Sequence, residues 1–443
     1  MQIQLSDHFT YSKLFRFTLP SIAMMVFTSI YGVVDGYFVS NFAGKTAFAA
    51  INLIMPFVMV LGGMGFMIGT GGTALVSKVL GQRDKATANR YFSMMIELTL
   101  LLGILLGVLG VVFMEPVARF LKATDEMMAD CVLYGRIVTG FTVTFMLQNV
   151  FQSFLIAAEK PKLGLIATIA AGVTNMVLDA LFVGVFRWGV AGAAVATGLS
   201  QCVGGVFPLI YFLRPNSSLL RFRPARLEWK PILRACANGS SELMSNVSSS
   251  LVSILYNFQL LRYYGENGVS AYGVLMYVQF IFIAIFVGYS IGCAPVVGFH
   301  YGAENHGELK NMLGKSVLLM GIGGIVLTAL AQGLAEPLAH IFVGYDAELY
   351  ALTVHAFRLF SFTFLLAGFN IFASSFFTAL NNGGVSAAIS FLRTLVFQCA
   401  CILILPELIK VDGIWWSNFI AEIGSFLVSL LFLLGMRKKY RYF

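Results

Sequence analysis

The stretch from Thr46 to Leu80, TAFAAINLIMPFVMVLGGMGFMIGTGGTALVSKVL, carries no charged residue before Lys78. A helix rises about 1.5 Å per residue, so roughly 20 apolar residues cross the hydrocarbon core of a bilayer. The segment therefore reads as a transmembrane helix. Its continuous apolar character, where a barrel strand would alternate, excludes a transmembrane β-barrel. Similar runs recur along the whole chain of 443 residues. In the first half they cover Leu14–Ser40, Thr46–Leu80, Tyr91–Phe113, Val132–Ala157, Leu163–Val185 and Val190–Leu213. In the second they cover Ile232–Leu261, Val269–Phe299, Met312–Leu334, Ala351–Leu380, Val385–Leu405 and Gly413–Leu434. The sequence thus predicts an all-α integral membrane protein of twelve spans.

Composition agrees. Hydrophobic residues make up 58% and charged residues 11% of the chain, under half the usual charged fraction of about 25%. Mean hydropathy is +0.83. This excludes a soluble enzyme, a disordered chain and a nucleic-acid binder, and the short loops leave no room for a catalytic or nucleotide-binding domain. Gly44-Lys45-Thr46 resembles the end of a phosphate loop, but Val39 stands where the first glycine belongs. The protein is predicted not to be an enzyme, and no organic cofactor is implied. The six cysteines lack metal spacing and read as small buried hydrophobes. The first apolar run lacks a small-residue cleavage site and reads as a retained helix rather than a signal peptide.

The net charge of +8 is distributed by side. Lys13, Arg16, Lys78, Arg83, Lys85, Arg90, Lys160, Lys162, the Arg214–Arg234 cluster and Arg437, Lys438, Lys439 and Arg441 fall on one side. Glu115, Asp125, Glu126, Asp130, Glu336, Asp346 and Glu348 fall on the other. Basic loops stay inside, so both termini are predicted to be cytoplasmic in a multi-pass membrane protein.

The chain is also written twice. Gly44, Ala50, Met55, Gly81 and Glu115-Pro116 recur 221 residues later as Gly265, Ala271, Met276, Gly302 and Glu336-Pro337. Arg136 and Ser153 recur as Arg358 and Ser375, and Gly189 as Gly413, with the displacement drifting to 224. Six spans per repeat make the halves parallel, related by an axis along the membrane normal. The expected organisation is a six-helix bundle over 1–213, a flexible basic linker over 214–230 and a second bundle over 231–443, arranged around a central cavity.

Intramembrane carboxylates are costly and mark function by default. Asp35, Glu97, Asp179, Glu242 and Glu422 are the candidates. Asp35 on span one, Asp179 on span five and Thr197 on span six lie at one depth, roughly 8–10 Å below the outer boundary. Asn175 and Asp179 are i and i+4 and share a helix face. This oxygen-rich set suits Na⁺; alternatively the two carboxylates share a proton, or the group is only a buried polar network. By the repeat displacement Asp35 falls near Tyr256 and Asp179 near Leu403, so the second half lacks the pair. Glu97 is expected to snorkel or to pair with Arg90.

Span seven carries Glu242, Asn246, Ser249, Ser253 and Asn257 on one stripe, which should line a wet cavity. Gln148 and Gln152 on span four, and Tyr272, Met276 and Gln279 on span eight, join this expected substrate surface. The glycines of span two (Gly62, Gly63, Gly65, Gly69, Gly71, Gly72) and span eight (Gly288, Gly292, Gly298) predict close helix packing. Met and Phe in quantity (19 and 41) suit a pliable, promiscuous pocket.

Several segments carry a family resemblance over essentially the whole chain. They are Val34-Asp35-Gly36-Tyr37-Phe38-Val39, Gly81-Gln82-Arg83-Asp84, Ala158-Glu159-Lys160-Pro161-Lys162, Asn175-Met176-Val177-Leu178-Asp179 and Gly189-Val190-Ala191-Gly192-Ala193-Ala194-Val195-Ala196-Thr197. They resemble the multidrug and toxic compound extrusion (MATE) family, most nearly its MepA-like bacterial branch. The resemblance implies two six-helix bundles forming a V-shaped cavity, and export of small lipophilic, often cationic compounds coupled to Na⁺ or H⁺. It also implies that Asp35, Asn175, Asp179 and Thr197 form the cation site of the first bundle. Some members have further coupling carboxylates in the second bundle, a role open here to Glu242 and Glu422. A monomer in the lipid bilayer is expected. Two other readings are a flippase of lipid-linked saccharides, which would want cavity arginines for phosphate, and a passive channel.

Overall fold

The computed structural model describes residues 3–443, and no β-strand occurs among them. The helices are α1 (Tyr11–Ala43), α2 (Thr46–Gly81), α3 (Lys85–Val112), α4 (Asp125–Gly140 with Thr142–Ala157), α5 (Pro161–Val185) and α6 (Gly189–Leu213). The second half supplies α7 (229–264), α8 (Asn267–Gly302), α9 (His306–Val343), α10 (Ala347–Ala379), α11 (Gly383–Ile409) and α12 (Asp412–Tyr440). Ten of these are long and apolar enough to cross a membrane. The two segments of α4, bent by 55° at Phe141, make an eleventh span when taken together. The twelfth, α7, fails on apolarity because Glu242 and the serine stripe occupy it. Length is ample; the departure from the simple hydropathy pattern is itself a sign of a wet face.

Short polar caps set the helix starts. The Asp84 carboxylate accepts from the Thr87 N–H at 3.0 Å, and the Asn305 side chain accepts from Glu308 N–H at 3.1 Å. These caps are 221 residues apart, and each follows a residue with left-handed backbone, Arg83 (φ 65°) and Glu304 (φ 54°). At the opposite end Gly44 (φ 96°) and Gly265 (φ 62°) form the matching pair. Gly265 combines that φ with ψ −148°, a conformation open essentially to glycine alone, and it separates α7 from α8. The repeat seen in the sequence is therefore a repeat of backbone geometry.

Both termini lie at one end of the molecule. Leu5 N–H donates to the Glu159 carboxylate in the α4–α5 turn at 2.6 Å, and Phe9 N–H to Glu308 on α9 at 2.9 Å. The Tyr440 and Tyr442 rings pack against Tyr301 and Phe376. At this same end the halves press together. Gly81 of α2 lies against the Phe299 carbonyl of α8, and Gly302 of α8 lies against the Lys78 carbonyl of α2. Displacing the first contact by 221 residues gives the second. Likewise Gly71 against Gly239 is the image of Gly292 against Thr18. These close approaches straddle a pseudo-two-fold axis.

The hydrophobic core follows the same asymmetry. One continuous core joins Leu14, Phe17, Met24, Ile68 and Phe154 of the first half to Val296, Phe286, Phe372 and Trp415 of the second. A separate core, built only from the first half, gathers Val39, Ile54, Val58, Tyr134, Val183 and Val190 at the far end. The halves are fused at the end carrying the termini and part toward the other.

The linker differs from the sequence expectation of flexibility. The N–H groups of Arg221, Arg223 and Ala225 donate to Asn89 Oδ1, Ser93 Oγ and Glu97 Oε1 at 2.8, 2.8 and 3.0 Å. Two residues of extended chain span about 6.6 Å and four of helix about 6 Å, so the two ladders stay in step. This also corrects the reading of Glu97: it pins the linker, while Arg90 pairs with Glu228 at 3.1 Å.

Candidate functional site

Asp35 and Asp179 both lie where a helix loosens. Asp35 sits one turn before α1 passes into the π segment Val39–Ala43, and Asp179 is the last α-helical residue before the π segment Ala180–Val185 of α5. Such widened turns recur at functional sites. The structure brings the four predicted residues together within the far-end core. The Asp35 and Asp179 carboxyl groups are close neighbours, near enough to influence each other's charge, with no hydrogen bond between them. Asn175 and Asp179 are buried at 2% and 0% exposure, and Asp35 and Thr197 are half-buried. Tyr134 of α4, fully packed, faces both carboxylates and Thr197.

The electrostatic state of this cluster is its most informative property. Asp35 Oδ1, Asn175 Oδ1, both Asp179 carboxylate oxygens and Thr197 Oγ are buried without a hydrogen-bond partner. Among the described residues no lysine, arginine or histidine pairs with either aspartate. Burying one uncompensated carboxylate costs on the order of several kcal/mol, and two side by side repel as well. Oxygens so placed can be satisfied by a dehydrated cation or by a shared proton. The carboxylate, carboxamide and hydroxyl donors fit a hard monovalent cation. No cluster of three or more His, Cys, Asp or Glu suited to a heavier metal occurs among the described residues. All six cysteines are free.

The second half reproduces the geometry without the charge. Tyr256 stacks on Tyr272 at 4.8 Å and lies close to Cys401 and Ser417. Tyr256 stands 221 residues after Asp35, and Cys401 stands 222 after Asp179.

On α7, Glu242 and Asn246 are half-buried, and Ser249 and Asn257 are exposed. The Glu242 carboxylate makes no hydrogen bond or ion pair among the described residues; Asn246 donates instead to the Glu242 backbone carbonyl at 2.8 Å. Ser253 donates to the Ser249 carbonyl at 2.9 Å. Met276 and Gln279 of α8 are half-buried. Three other expected cavity residues are placed differently. Gln148 and Gln152 are 5% and 4% exposed and line a small void inside the first bundle with Thr168, Gly204 and Pro208. The bend in α4 turns that face inward. Tyr272 is 6% exposed, held under Tyr256. The side chain of Lys45, part of the phosphate-loop resemblance, lies outside the described residues.

Sequence reasoning missed Tyr134 and Arg393. A tyrosine in a span carries no signal of its own, whereas Arg393 was visible as a lone charge within Val385–Leu405. Its Nη2 lies 2.7 Å from Glu422 Oε1, which removes Glu422 from the free carboxylates.

Two repeated bundles fused at one end, with unpaired oxygens sealed inside one of them, are the architecture of a membrane transporter class. The MatE family model matches residues 20–181 and 243–402, one block in each half. The chain belongs to the MatE family. Multidrug export protein MepA of Staphylococcus saprophyticus is 24% identical over 437 residues, covering 97% of this chain and 94% of that protein. MepA of Staphylococcus aureus is 22% identical over 432 residues, covering 97% and 94%. Among solved structures, an outward-facing multidrug resistance MATE family transporter of the MOP superfamily superposes with TM-score 0.89 at 22% identity, covering 96% of each chain. A MOP superfamily transporter from Pyrococcus furiosus, described as having a binding pocket of reversed polarity, gives 0.87 at 23%, again over 96% of each.

Proposed function

We propose that the protein is a secondary multidrug exporter of the cell membrane, exchanging small lipophilic cations for Na⁺ or H⁺. The observation that carries this reading is the Asp35–Asn175–Asp179–Thr197 cluster, whose buried oxygens have no protein partner. A removable cation there changes the relative stability of two conformations, which is what coupling requires. Glu242, with its unpaired carboxylate on the polar stripe of α7, attracts the cationic group of the substrate; Asn246, Ser249, Ser253, Asn257, Met276 and Gln279 share that surface. The end carrying the termini is cytoplasmic, because the basic loops lie there. The fused core then closes the inner side, and the parted far end opens outward. Residues 1–213 and 231–443 rock as two bodies about the pseudo-two-fold, with one monomer as the working unit. Arg393, engaged by Glu422, is not open to a phosphate, which weighs against a saccharide-lipid flippase.

Efflux of a fluorescent cation from proteoliposomes, under Na⁺ and proton gradients imposed separately, tests the proposal. One gradient should drive export, and Asp179→Asn and Asp35→Asn should abolish the driven component while the protein stays folded. Full gradient-driven efflux in both variants would make the cluster structural and the reading wrong.

A further inference from the structure

The second bundle holds a buried carboxylate that this transport cycle does not use. Glu422 on α12 is 1% exposed, and Arg393 beside it is 15% exposed. Arg393 lies in the π segment Leu392–Phe397 of α11 and faces Glu422 in a fork. Its Nε reaches Oε1 at 2.9 Å and Oε2 at 3.1 Å, and its Nη2 reaches Oε1 at 2.7 Å. Asn370 of α10 donates to Glu422 Oε2 at 2.6 Å and to its backbone carbonyl at 3.0 Å. Among the described residues no other ionisable side chain is hydrogen-bonded or ion-paired to either partner.

The surroundings match a cation site better than an ordinary helix contact. Asn418, Glu422, Ser425 and Ser429 recur at i, i+4, i+7 and i+11 on one face of α12, all 3% exposed or less. Asn370 Oδ1, Asn418 Oδ1, Ser425 Oγ and Ser429 Oγ are buried with no hydrogen-bond partner. Carboxylate, carboxamide and hydroxyl are the same donor types that gather at Asp35, Asn175, Asp179 and Thr197. In the repeat the site lies close to the counterpart of the first cluster without coinciding with it: the displacement of 224 that carries Gly189 onto Gly413 carries Thr197 onto Ala421, the residue before Glu422 and about 100° from it around the helix. Each of the two buried carboxylate sites therefore lies beside a π segment of the fifth helix in its half. One lacks a positive charge, and the other has one attached covalently to the chain.

We infer that Arg393 is a tethered cation. Its guanidinium fills the place at Glu422 that a mobile Na⁺ or proton would take, so the second bundle is held permanently in a charge-compensated form. Coupling then runs through the first bundle alone. This rests on the proposal that the Asp35–Asp179 cluster holds the mobile cation. It makes Arg393 the residue that fixes how many cations move per cycle.

The test uses the full-length protein in detergent, with thermal stability followed against Na⁺ at fixed pH and against pH in choline buffer. The Asp35→Asn/Asp179→Asn protein should show no cation-dependent rise in Tm. Adding Arg393→Met to it should restore a rise of about 2–5 °C at saturating cation. Adding Glu422→Gln as well should remove the rise again. A folded Arg393→Met protein indifferent to Na⁺ and pH would overturn the inference. So would one that unfolds under every cation while Arg393→Met/Glu422→Gln folds, since Glu422 would then accept no mobile substitute. A further measurement leaves the arginine in place: cation dependence that persists in Asp35→Asn/Asp179→Asn and disappears with Glu422→Gln would show Glu422 exchanging a mobile ion, and would also overturn it. Dependence that survives all three substitutions fails the first-bundle reading instead, and Arg393→Met still decides the role of Arg393.

Discussion

Gly302→Ala should tilt the protein away from the conformation described above. A methyl group at Gly302 would be driven into the Lys78 carbonyl of α2, and one at Gly81 into the Phe299 carbonyl of α8. Ordinary contact needs about 3.4 Å or more between such carbon and oxygen atoms, so α2 and α8 must separate by on the order of 1 Å at their crossing. Neither carbonyl belongs to a flexible side chain that could yield. Overpacking of this kind costs about 1–3 kcal/mol, which moves a two-state equilibrium by a factor of roughly 5–150. The whole cost falls on the state in which this end is closed, because separation of the halves relieves it. Spin labels placed across the ends of α2 and α8 would report the populations by distance distribution. Each substitution should lengthen the distance and slow export. The pseudo-two-fold adds a stricter demand: Gly81→Ala and Gly302→Ala strike the same crossing from its two sides and should shift the equilibrium by similar amounts. Wild-type distances in either variant, with export at full rate, would refute the claim that this glycine crossing is the closed gate.

Glu242→Gln should weaken monovalent cationic substrates about tenfold and spare neutral ones, because a half-buried carboxylate attracts charge more strongly than one in bulk water; equal losses for both substrate classes in a transport assay would count against a direct electrostatic role. Glu308→Ala removes the acceptor for the Phe9 N–H at 2.9 Å and the partner of His8 Nδ1 at 2.7 Å. It should speed amide exchange at residues 5–10 and favour opening of the end carrying the termini, since the strap from Glu159 to Glu308 ties the halves there; unchanged exchange would make the strap a bystander.

What the sequence shows and what it hides divide along physical lines. Asp35 and Asp179 were legible because a carboxylate in an apolar run is expensive enough to need a reason. Their common depth followed from the rise of a helix and the side of each loop. The repeat was legible at glycines and caps, where backbone conformation limits the residue allowed, as at Gly44 and Gly265. Gln148 and Gln152 show the limit. Helical periodicity puts them on one face, but the neighbour of that face is decided by the 55° bend at Phe141, which no local pattern announces. Arg393 was in plain view as a charge, yet only the fold shows that Glu422, 29 residues further on, neutralises it. The linker contacts were unreadable for a similar reason: backbone N–H groups of 221–225 meet side chains of α3 more than a hundred residues away.

The two halves have kept different things, and the difference bears on mechanism. Residues at the crossing, Gly81 with Gly302 and Gly71 with Gly292, are retained across the repeat, because each helix must approach its partner as closely as its partner approaches it. Residues at the polar centres differ: Asp35 stands against Tyr256, Asp179 against the turn from Cys401 to Leu403, and Thr197 against Ala421. A rocking motion needs both copies of the crossing, since the gate is made by both. Coupling needs only one element whose two conformations differ in affinity for a cation, and a second such element would change the number of ions per cycle rather than make coupling possible. A duplicated scaffold is therefore free to lose one cation centre while it cannot lose one side of its hinge. In the second half Tyr256 is packed on Tyr272 and Arg393 is locked to Glu422, so neither polar centre there leaves a carboxylate unpaired.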